Sequence, residues 1–570
     1  MSKTGAQLIW ECLIEEGVDL VFGYPGGAIL PAYDAMTQYP EIHHVLSRHE
    51  QGATHMADGY ARATGRVGVA IATSGPGATN MVTGLGTAML DSVPMVCITG
   101  QVPTTALGGD AFQEIDIVGI SQSITKHNYL VRDVEDLPFV IKEAFHLARS
   151  GRPGPVLVDI PKDVQLASTE QGPWKGEIRL PGERPCEISD AVLDEARRLI
   201  GAADRPIILA GHGILLSGAE AQVKALAERC DIPVSVTLLG KGGFPEAHPL
   251  CLGMMGMHGT AASNSAIQEA DLLIALGMRF DDRVTGNLAT YSPHSKKIHI
   301  DIDAAEIGKN VKVDAGLVGD LAPVLVRLLE DLPPKQHTEW RRHIQGWHED
   351  SDGRDILRRA QRGPMLMAAE VIDALRRHTG GNVVNVTDVG QHQMWEAQYY
   401  PHERPGTLFT SGGMGTMGYA VPAAIGVKMG RPDEEVWAIV GDGGFQMTMC
   451  EFATAVQEGV EINIAIVNNG YLGMVRQWQE LFYDERYHQT PMLSPDFCRL
   501  AAAFEIPSIR VSRRDEMESA IQKAQAHRGG PALVEFVVEQ HDAVFPMVPA
   551  GADLDKMIRR PRPGESLKLA

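Results

Sequence analysis

The 570-residue sequence predicts an α/β protein of three doubly wound parallel-sheet domains. Three observations carry that prediction. Short apolar runs alternate with segments of helical spacing, many of the runs end in Gly-rich turns, and residues 436–474 spell one complete βαβ unit.

That unit organises the rest. Residues 436–440 are an apolar run, Gly441-Asp442-Gly443-Gly444 a turn, 447–457 a helix-like segment and 462–467 a second run. A right-handed crossover between parallel strands puts Asp442 and Asn469, which each follow a strand, on the same sheet edge. Ligands bind along such an edge. A carboxylate, an amide oxygen and nearby carbonyls form an incomplete shell of hard oxygens, suited to Mg²⁺ holding phosphates, and the glycines let a diphosphate approach the helix N-terminus. Taken singly, GDGG is a tight turn and NNG a strand-ending turn. Their coupling decides otherwise: GDG, the 24 residues 444–467 and then Asn468-Asn469 resemble the thiamin diphosphate (ThDP) and magnesium motif.

The length exceeds one core and points to three or four domains. With 51 basic against 72 acidic residues, the formal charge of -21 argues against nucleic-acid or acidic-membrane partners. Cys12, Cys97, Cys186, Cys230, Cys251, Cys450 and Cys498 lack CxxC spacing and read as buried thiols of a reducing compartment. No apolar run reaches membrane-spanning length, and the start reads as an amphipathic helix, not a signal or transit segment, so the expected location is the cytoplasm.

In chain order, residues 5–17 predict a helix, and 20–22 a strand ending in Gly23-Tyr24-Pro25-Gly26-Gly27. Residues 51–64 predict an Ala-rich helix with Glu50 at its start. Strand 67–72, the turn Ser74-Gly75-Pro76-Gly77, helix 78–90 and strand 95–99 make another βαβ unit, and strand 156–160 closes the first domain, 1–166. Residues 60–100 echo 422–469, so the first and third domains should be alike. Residues 167–187 read as a linker. A middle domain, 188–332, has expected strands 206–210, 233–237, 272–276 and 297–302, with Gly211-His212-Gly213 and Gly277-Met278-Arg279 at strand ends. No GxGxxG follows its first strand, so the residues alone make a weak nucleotide signal. Charged 333–364 reads as a second linker, 365–549 as the third domain and 550–570 as a tail.

Over nearly the full length, VFGYPGGA, SRHEQGATHMADGYAR, TSGPGATN, DAFQE, SGRPGPVLVDIPKD, RFDDRVTG, HIDID, DVGQHQMW, SGGMGTMGYAVPAAIG, GDGGFQM, NNGYLGMVRQWQ and FPMVP together resemble the large catalytic subunit family of acetohydroxyacid synthase, or acetolactate synthase. The resemblance implies a pyrimidine-binding ThDP domain, a Rossmann-like FAD-binding domain and a diphosphate- and Mg²⁺-binding ThDP domain. It implies a homodimer or higher oligomer with active sites between chains, and a possible small regulatory subunit. The implied reaction decarboxylates pyruvate and transfers the hydroxyethyl carbanion to a second pyruvate or to 2-ketobutyrate, in branched-chain amino-acid biosynthesis. FAD would be structural, outside the redox chemistry of turnover.

Residue by residue, the resemblance places the proton-bearing Glu50 at the cofactor pyrimidine, Met417 as the wedge that bends the cofactor, and Asp442, Asn469 and the Tyr471 carbonyl on Mg²⁺. Tyr24, Pro25, Gly26, Pro76, Asn80, Val389, Gly390, Gln391, His392, Gly415, Gly441, Gly443, Gly444, Leu472, Gly473 and Met474 complete the implied ThDP set. Arg283 matches the clamp on the acceptor carboxylate, Trp478 the pocket for the larger acceptor, and Phe112, Gln113 and Lys162 the substrate channel. FAD would meet Arg152, Gly211, His212, Gly213, Thr237, Leu238, Met257, His258, Gly277, Arg279, Asp281, Arg283, Asp301, Ile302, Gly319 and Asp320. Read alone, Glu50 is a helix-start glutamate, Met417 a core methionine, His392 a surface or core histidine, Arg283 an ion-pair partner of Asp281 or Asp282 and Trp478 a core aromatic. His212 and Thr416 depart from the pattern, where Gly and Ala are expected. The rivals are a flavin-reducing pyruvate oxidase, against which Arg283, Trp478 and VFPMVP speak; a glyoxylate carboligase, which lacks the glutamate; and a non-catalytic flavin scaffold.

Overall fold

The computed structural model describes residues 2–178, 188–358 and 363–565. The apolar runs form three six-stranded sheets, each wholly parallel. The first holds β1 (Leu20–Gly23), β2 (His43–Leu46), β3 (Gly68–Ala72), β4 (Met95–Gln101), β5 (His127–Leu130) and β6 (Pro155–Pro161) in the order 2-1-3-4-6-5. The middle sheet, of β7 (Pro206–Ala210), β8 (Val234–Val236), β9 (Cys251–Met254), β10 (Leu272–Leu276), β11 (Lys296–Asp301) and β12 (Ala315–Val318), runs 9-8-7-10-11-12. This is the dinucleotide-binding strand order, present without its GxGxxG signature. The third, of β13 (Val384–Thr387), β14 (Leu408–Thr410), β15 (Val436–Gly441), β16 (Ile462–Asn468), β17 (Ser508–Val511) and β18 (Ala532–Val537), runs 14-13-15-16-18-17 and repeats the first. The echo between residues 60–100 and 422–469 is thus a shared topology.

Alternate residues of each strand enter opposite cores, as the period of two demands. Val69 and Ile71 of β3 face one cluster, Ala70 and Ala72 another; Ala438 and Val440 of β15 likewise oppose Trp437 and Ile439. Both faces of every sheet are covered, which is what a parallel sheet needs. One cluster is common to the first and third sheets, because the helices Glu50–Thr64 and Ala420–Gly430 lie between them. Their backbones touch. A Cβ on Gly59 would fall 2.1 Å from the Ala423 carbonyl oxygen, and one on Gly426 1.9 Å from that of Met56.

Four expectations are corrected. The charged stretch 333–364, read as a linker, contains the helix Thr338–Asp352, whose Trp340 and Ile344 are buried against the middle domain. Its apolar residues are four apart amid charge, enough for one stripe but not for an apolar average. Residues 550–565 are no loose tail, since Leu554, Met557 and Ile558 are buried. The six cysteines among the described residues are free, but Cys450 is exposed; Cys186 lies outside them. The helix after β15 starts at Asp442, not 447, in the segment Asp442–Thr448. Part of the first expected linker, 179–187, also falls outside the described residues.

Candidate active site

In the third sheet the strand order reverses between β13 and β15, so the segments leaving their carboxyl ends flank a crevice. Gly390, Gln391 and His392 follow β13, and Gly441 to Gly444 end β15 and open the next helix. The glycines are required by contact. A Cβ on Gly441 would meet the His392 ring at 2.8 Å, one on Gly444 the Asp388 carboxylate at 2.6 Å, and one on Gly443 the Leu472 side chain at 2.9 Å and the Met417 methyl at 3.5 Å. The Gly441 N–H donates to His392 Nε2 (3.2 Å), so burial, which pushes that imidazole down to about 3, keeps it a neutral acceptor.

Asp442, 1 % exposed, accepts from Ser494 Oγ at 3.1 Å, and burial raises its carboxyl to about 6. Across the edge, after β16, Asn469 Oδ1 accepts from the Tyr471 N–H (3.0 Å) and keeps a second lone pair, while its Nδ2 donates to Gln391 Oε1 (3.3 Å). Gly473 opens the helix Gly473–Phe482, and a Cβ there would strike Gln391 Oε1 at 2.1 Å. Among the described residues no three His, Cys, Asp or Glu side chains cluster as metal ligands. A set of one carboxylate, one amide oxygen and one carbonyl fits a Mg²⁺ that takes its remaining oxygens from phosphate and water.

A second cluster forms at the corresponding edge of the first sheet. Glu50, 8 % exposed at the start of Glu50–Thr64, accepts from Asn80 Nδ2 at 2.9 Å. Thr73 packs where a Cβ on Gly26 or on Gly77 would stand, and that Cβ on Gly77 would lie 3.3 Å from Glu50 Oε1. Tyr24 and Pro25 follow β1, and Pro76 opens a helix after β3. Gln113 packs on Gly75 with a left-handed φ of 61°, beside Phe112, which is 88 % exposed. Lys162 opens the short helix after β6.

Where the three domains meet lies a cavity of about 1470 Å³. Of the residues expected at FAD, all but Gly211 line it: Arg152, His212, Gly213, Thr237, Leu238, Met257, His258, Gly277, Arg279, Asp281, Arg283, Asp301, Ile302, Gly319 and Asp320. Gly211 sits behind the wall, where a Cβ would fall 2.1 Å from the Gly277 carbonyl oxygen, so the turns after β7 and β10 close on one another at the topological switch point. A dinucleotide fits this concave crevice; its glycines leave the backbone open to close approach. Sequence reasoning missed Glu306, whose carboxylate holds the Arg152 guanidinium at 2.9 Å, and loop residues 411–414. No motif marks Glu306, and residues 411–414 open SGGMGTMGYAVPAAIG, in which only Gly415, Thr416 and Met417 are singled out.

The same cavity runs on to Val389, Gly390, Gly415, Met417, Met474 and Trp478. Trp478 packs edge-on against Phe482, its ring centre 5.7 Å away, in an apolar cluster with Met257 and Phe545. Arg283 sits on a turn capped by Asp281, and its guanidinium is half exposed, 3.4 Å from Asp282. Glu50, Gln113 and Lys162 line no part of this cavity within one chain.

Residues 3–120 match the thiamine pyrophosphate enzyme N-terminal TPP binding domain, 193–328 the central domain and 388–536 the C-terminal TPP binding domain. Together they define a thiamin diphosphate-dependent enzyme. The acetolactate synthase large subunit of Corynebacterium glutamicum is 50% identical over 561 residues, 96% of this chain and 89% of that protein. The acetolactate synthase of Mycobacterium bovis is 48% identical over 97% of this chain and 91% of its own. The acetolactate synthase isozyme 2 large subunit of Escherichia coli is 44% identical, with 98% and 99% covered. The chain belongs to the acetolactate synthase family of thiamin diphosphate-dependent transferases, enzymes of branched-chain amino-acid biosynthesis.

Proposed function

We propose that the chain decarboxylates pyruvate and joins the two-carbon unit to a second pyruvate or to 2-ketobutyrate, with ThDP and Mg²⁺ at the third-domain crevice and FAD in the middle-domain crevice. One observation carries this reading: a single cavity is lined by the middle-domain turns, Gly415, Met417, Arg283 and Trp478. Bound ThDP supplies the carbon nucleophile and takes up the electron pair left when CO₂ departs. Asp442, Asn469 and the Tyr471 carbonyl would hold Mg²⁺ and so the diphosphate, and Gly441, Gly443 and Gly473 leave the room it needs. Met417, against Gly443, would press the cofactor into its bent form.

Glu50 would hydrogen-bond the pyrimidine ring and act on it as a general acid or base. It lies outside the cavity of its own chain. We assign the pyrimidine end to a neighbouring copy, so that each site needs two chains. Phe112, 88 % exposed beside Gln113, and Leu493, 100 % exposed beyond the expected metal segment, are side chains that such a neighbour would cover. The apolar side chains of Met257, Met417, Met474 and Trp478 on the cavity wall would help to keep water from the carboligation step. Arg283 would clamp the acceptor carboxylate with its planar fork. FAD would be a structural filler. The proposed domains are 1–166, 188–332 and 365–549, with Thr338–Asp352 joined to the middle one. Relatives named as large subunits support a small regulatory partner. Among the described residues no helix is long and apolar enough to cross a membrane.

Pyruvate, ThDP and Mg²⁺ should give acetolactate without oxygen uptake. Acetaldehyde as the main product, or flavin reduced in step with turnover, would overturn the assignment. Trp478→Leu, which removes aromatic surface from the cavity wall, should lower the preference for 2-ketobutyrate over pyruvate by about tenfold. Competing both acceptors in one reaction reads that ratio directly, and an unchanged ratio would remove Trp478 from the acceptor pocket.

A further inference from the structure

Met417 belongs to a loop, 411–419, that has no regular structure for most of its length, yet a wedge must be rigid to bend anything. What holds it is a set of buried polar contacts. At the far end the Asp388 carboxylate accepts from the N–H groups of Gly418 (2.9 and 3.1 Å) and Ala420 (3.3 Å). At the near end the support comes from the first domain. Asp91, 1 % exposed at the end of the helix Val82–Asp91, accepts from Gly413 N–H on Oδ1 (2.7 Å) and from Gly412 N–H on Oδ2 (3.0 Å).

Asp91 is itself fixed. The buried Arg62 donates to it at 2.9 Å, to Asp58 at 2.6 Å and to the Thr410 carbonyl at 3.2 Å, and Tyr419, at the loop's other end, donates its hydroxyl to Asp58 at 2.6 Å. Asp58 and Arg62 lie on the helix Glu50–Thr64, roughly 12 and 18 Å along it from Glu50 at 1.5 Å per residue. Two buried carboxylates share one guanidinium, so neither can lose it cheaply.

Both departures from the family pattern end at the same helix. Thr416 shares a hydrogen bond with Thr87 (2.7 Å between the hydroxyl oxygens), and the His212 imidazole, held neutral at about 4 by burial, faces the Asp91 backbone carbonyl. All three domains therefore meet at the last turn of Val82–Asp91. The fit leaves no slack: a Cβ on Gly413 would lie 2.9 Å from both Asp91 Oδ1 and the Leu90 Cβ, and one on Gly412 2.7 Å from Leu239.

We propose that Asp91, locked by Arg62, is the positioning residue that sets the 411–417 loop in the shape presenting Gly415 and Met417 to ThDP, and ties that shape to the helix beginning at Glu50. The loop-holding half stands on contacts alone; the cofactor half rests on the role proposed above for Met417. Asp91→Asn keeps the shape but sets an N–H₂ group against donors, breaking at least one of the three bonds. In the full-length protein, hydrogen–deuterium exchange should then speed up at residues 411–418 and stay unchanged in β15 and β16. Calorimetric affinity for ThDP with Mg²⁺ should fall roughly tenfold or more, the loss of a charge-assisted bond, with the KM for pyruvate unmoved.

Thr416→Ala removes one hydroxyl and serves if Asp91→Asn does not fold; it should loosen the same segment and weaken ThDP by a few-fold. Unchanged exchange at 411–418 in the folded variant overturns the proposal, as does faster exchange with undiminished affinity. Met417→Ala separates the two readings. If it leaves ThDP affinity intact, the wedge role fails, while the exchange result for Asp91 still decides whether the loop is held.

Discussion

Glu50→Gln is expected to bind ThDP and Mg²⁺ and to retain the fold, yet to lose about 10²–10⁴ of turnover, the usual share of a general acid or base. The amide keeps the size of the carboxyl and can still meet Asn80 Nδ2 through its oxygen, so the bond at 2.9 Å survives. What it lacks is a proton to give. The measurement is exchange of the cofactor C2 proton by quenched NMR, which should slow in step with turnover. Unchanged exchange would strip Glu50 of the role.

The second large effect is at the opposite end of the cofactor. Asp442→Ala removes the only carboxylate of the proposed Mg²⁺ set and should weaken ThDP retention by more than about a hundredfold at fixed Mg²⁺, since a neutral shell of two oxygens competes poorly with water. The fold should persist. Asp442 is buried with its carboxyl pushed up to about 6, because burial disfavours its charge in the cofactor-free protein. Equilibrium dialysis with ThDP gives the affinity and thermal unfolding the stability. An intact affinity would move the metal elsewhere; a collapsed fold would make Asp442 structural.

The sequence made the sheets legible because their strands are buried on both faces and appear as short apolar runs. The expected strand 272–276 is the observed Leu272–Leu276, and 206–210 is Pro206–Ala210. The coupled GDGG and NNG turns were legible because a βαβ unit fixes where its strand ends emerge. Less local features were hidden. The helix Thr338–Asp352 buries a single stripe within a charged segment, and its average polarity conceals it. Glu306 and Asp91 are acidic residues in unremarked places, and their partners, Arg152 and Gly412-Gly413, lie 154 and more than 300 positions away in the chain. Spacing rules do not reach across that distance. His212 and Thr416 were visible as departures, but that both end on Val82–Asp91 is a property of the packed domains.

The central claim is that one chain grips the diphosphate through Asp442 while another presents Glu50. Co-expressing Glu50→Gln with Asp442→Ala tests it most directly. Each variant alone is inactive by this account, but a mixed dimer has one site with both residues intact, so random pairing should restore about a quarter of the native activity per dimer. Activity no higher than that of the separate variants would put both residues in the same chain's site and contradict the claim.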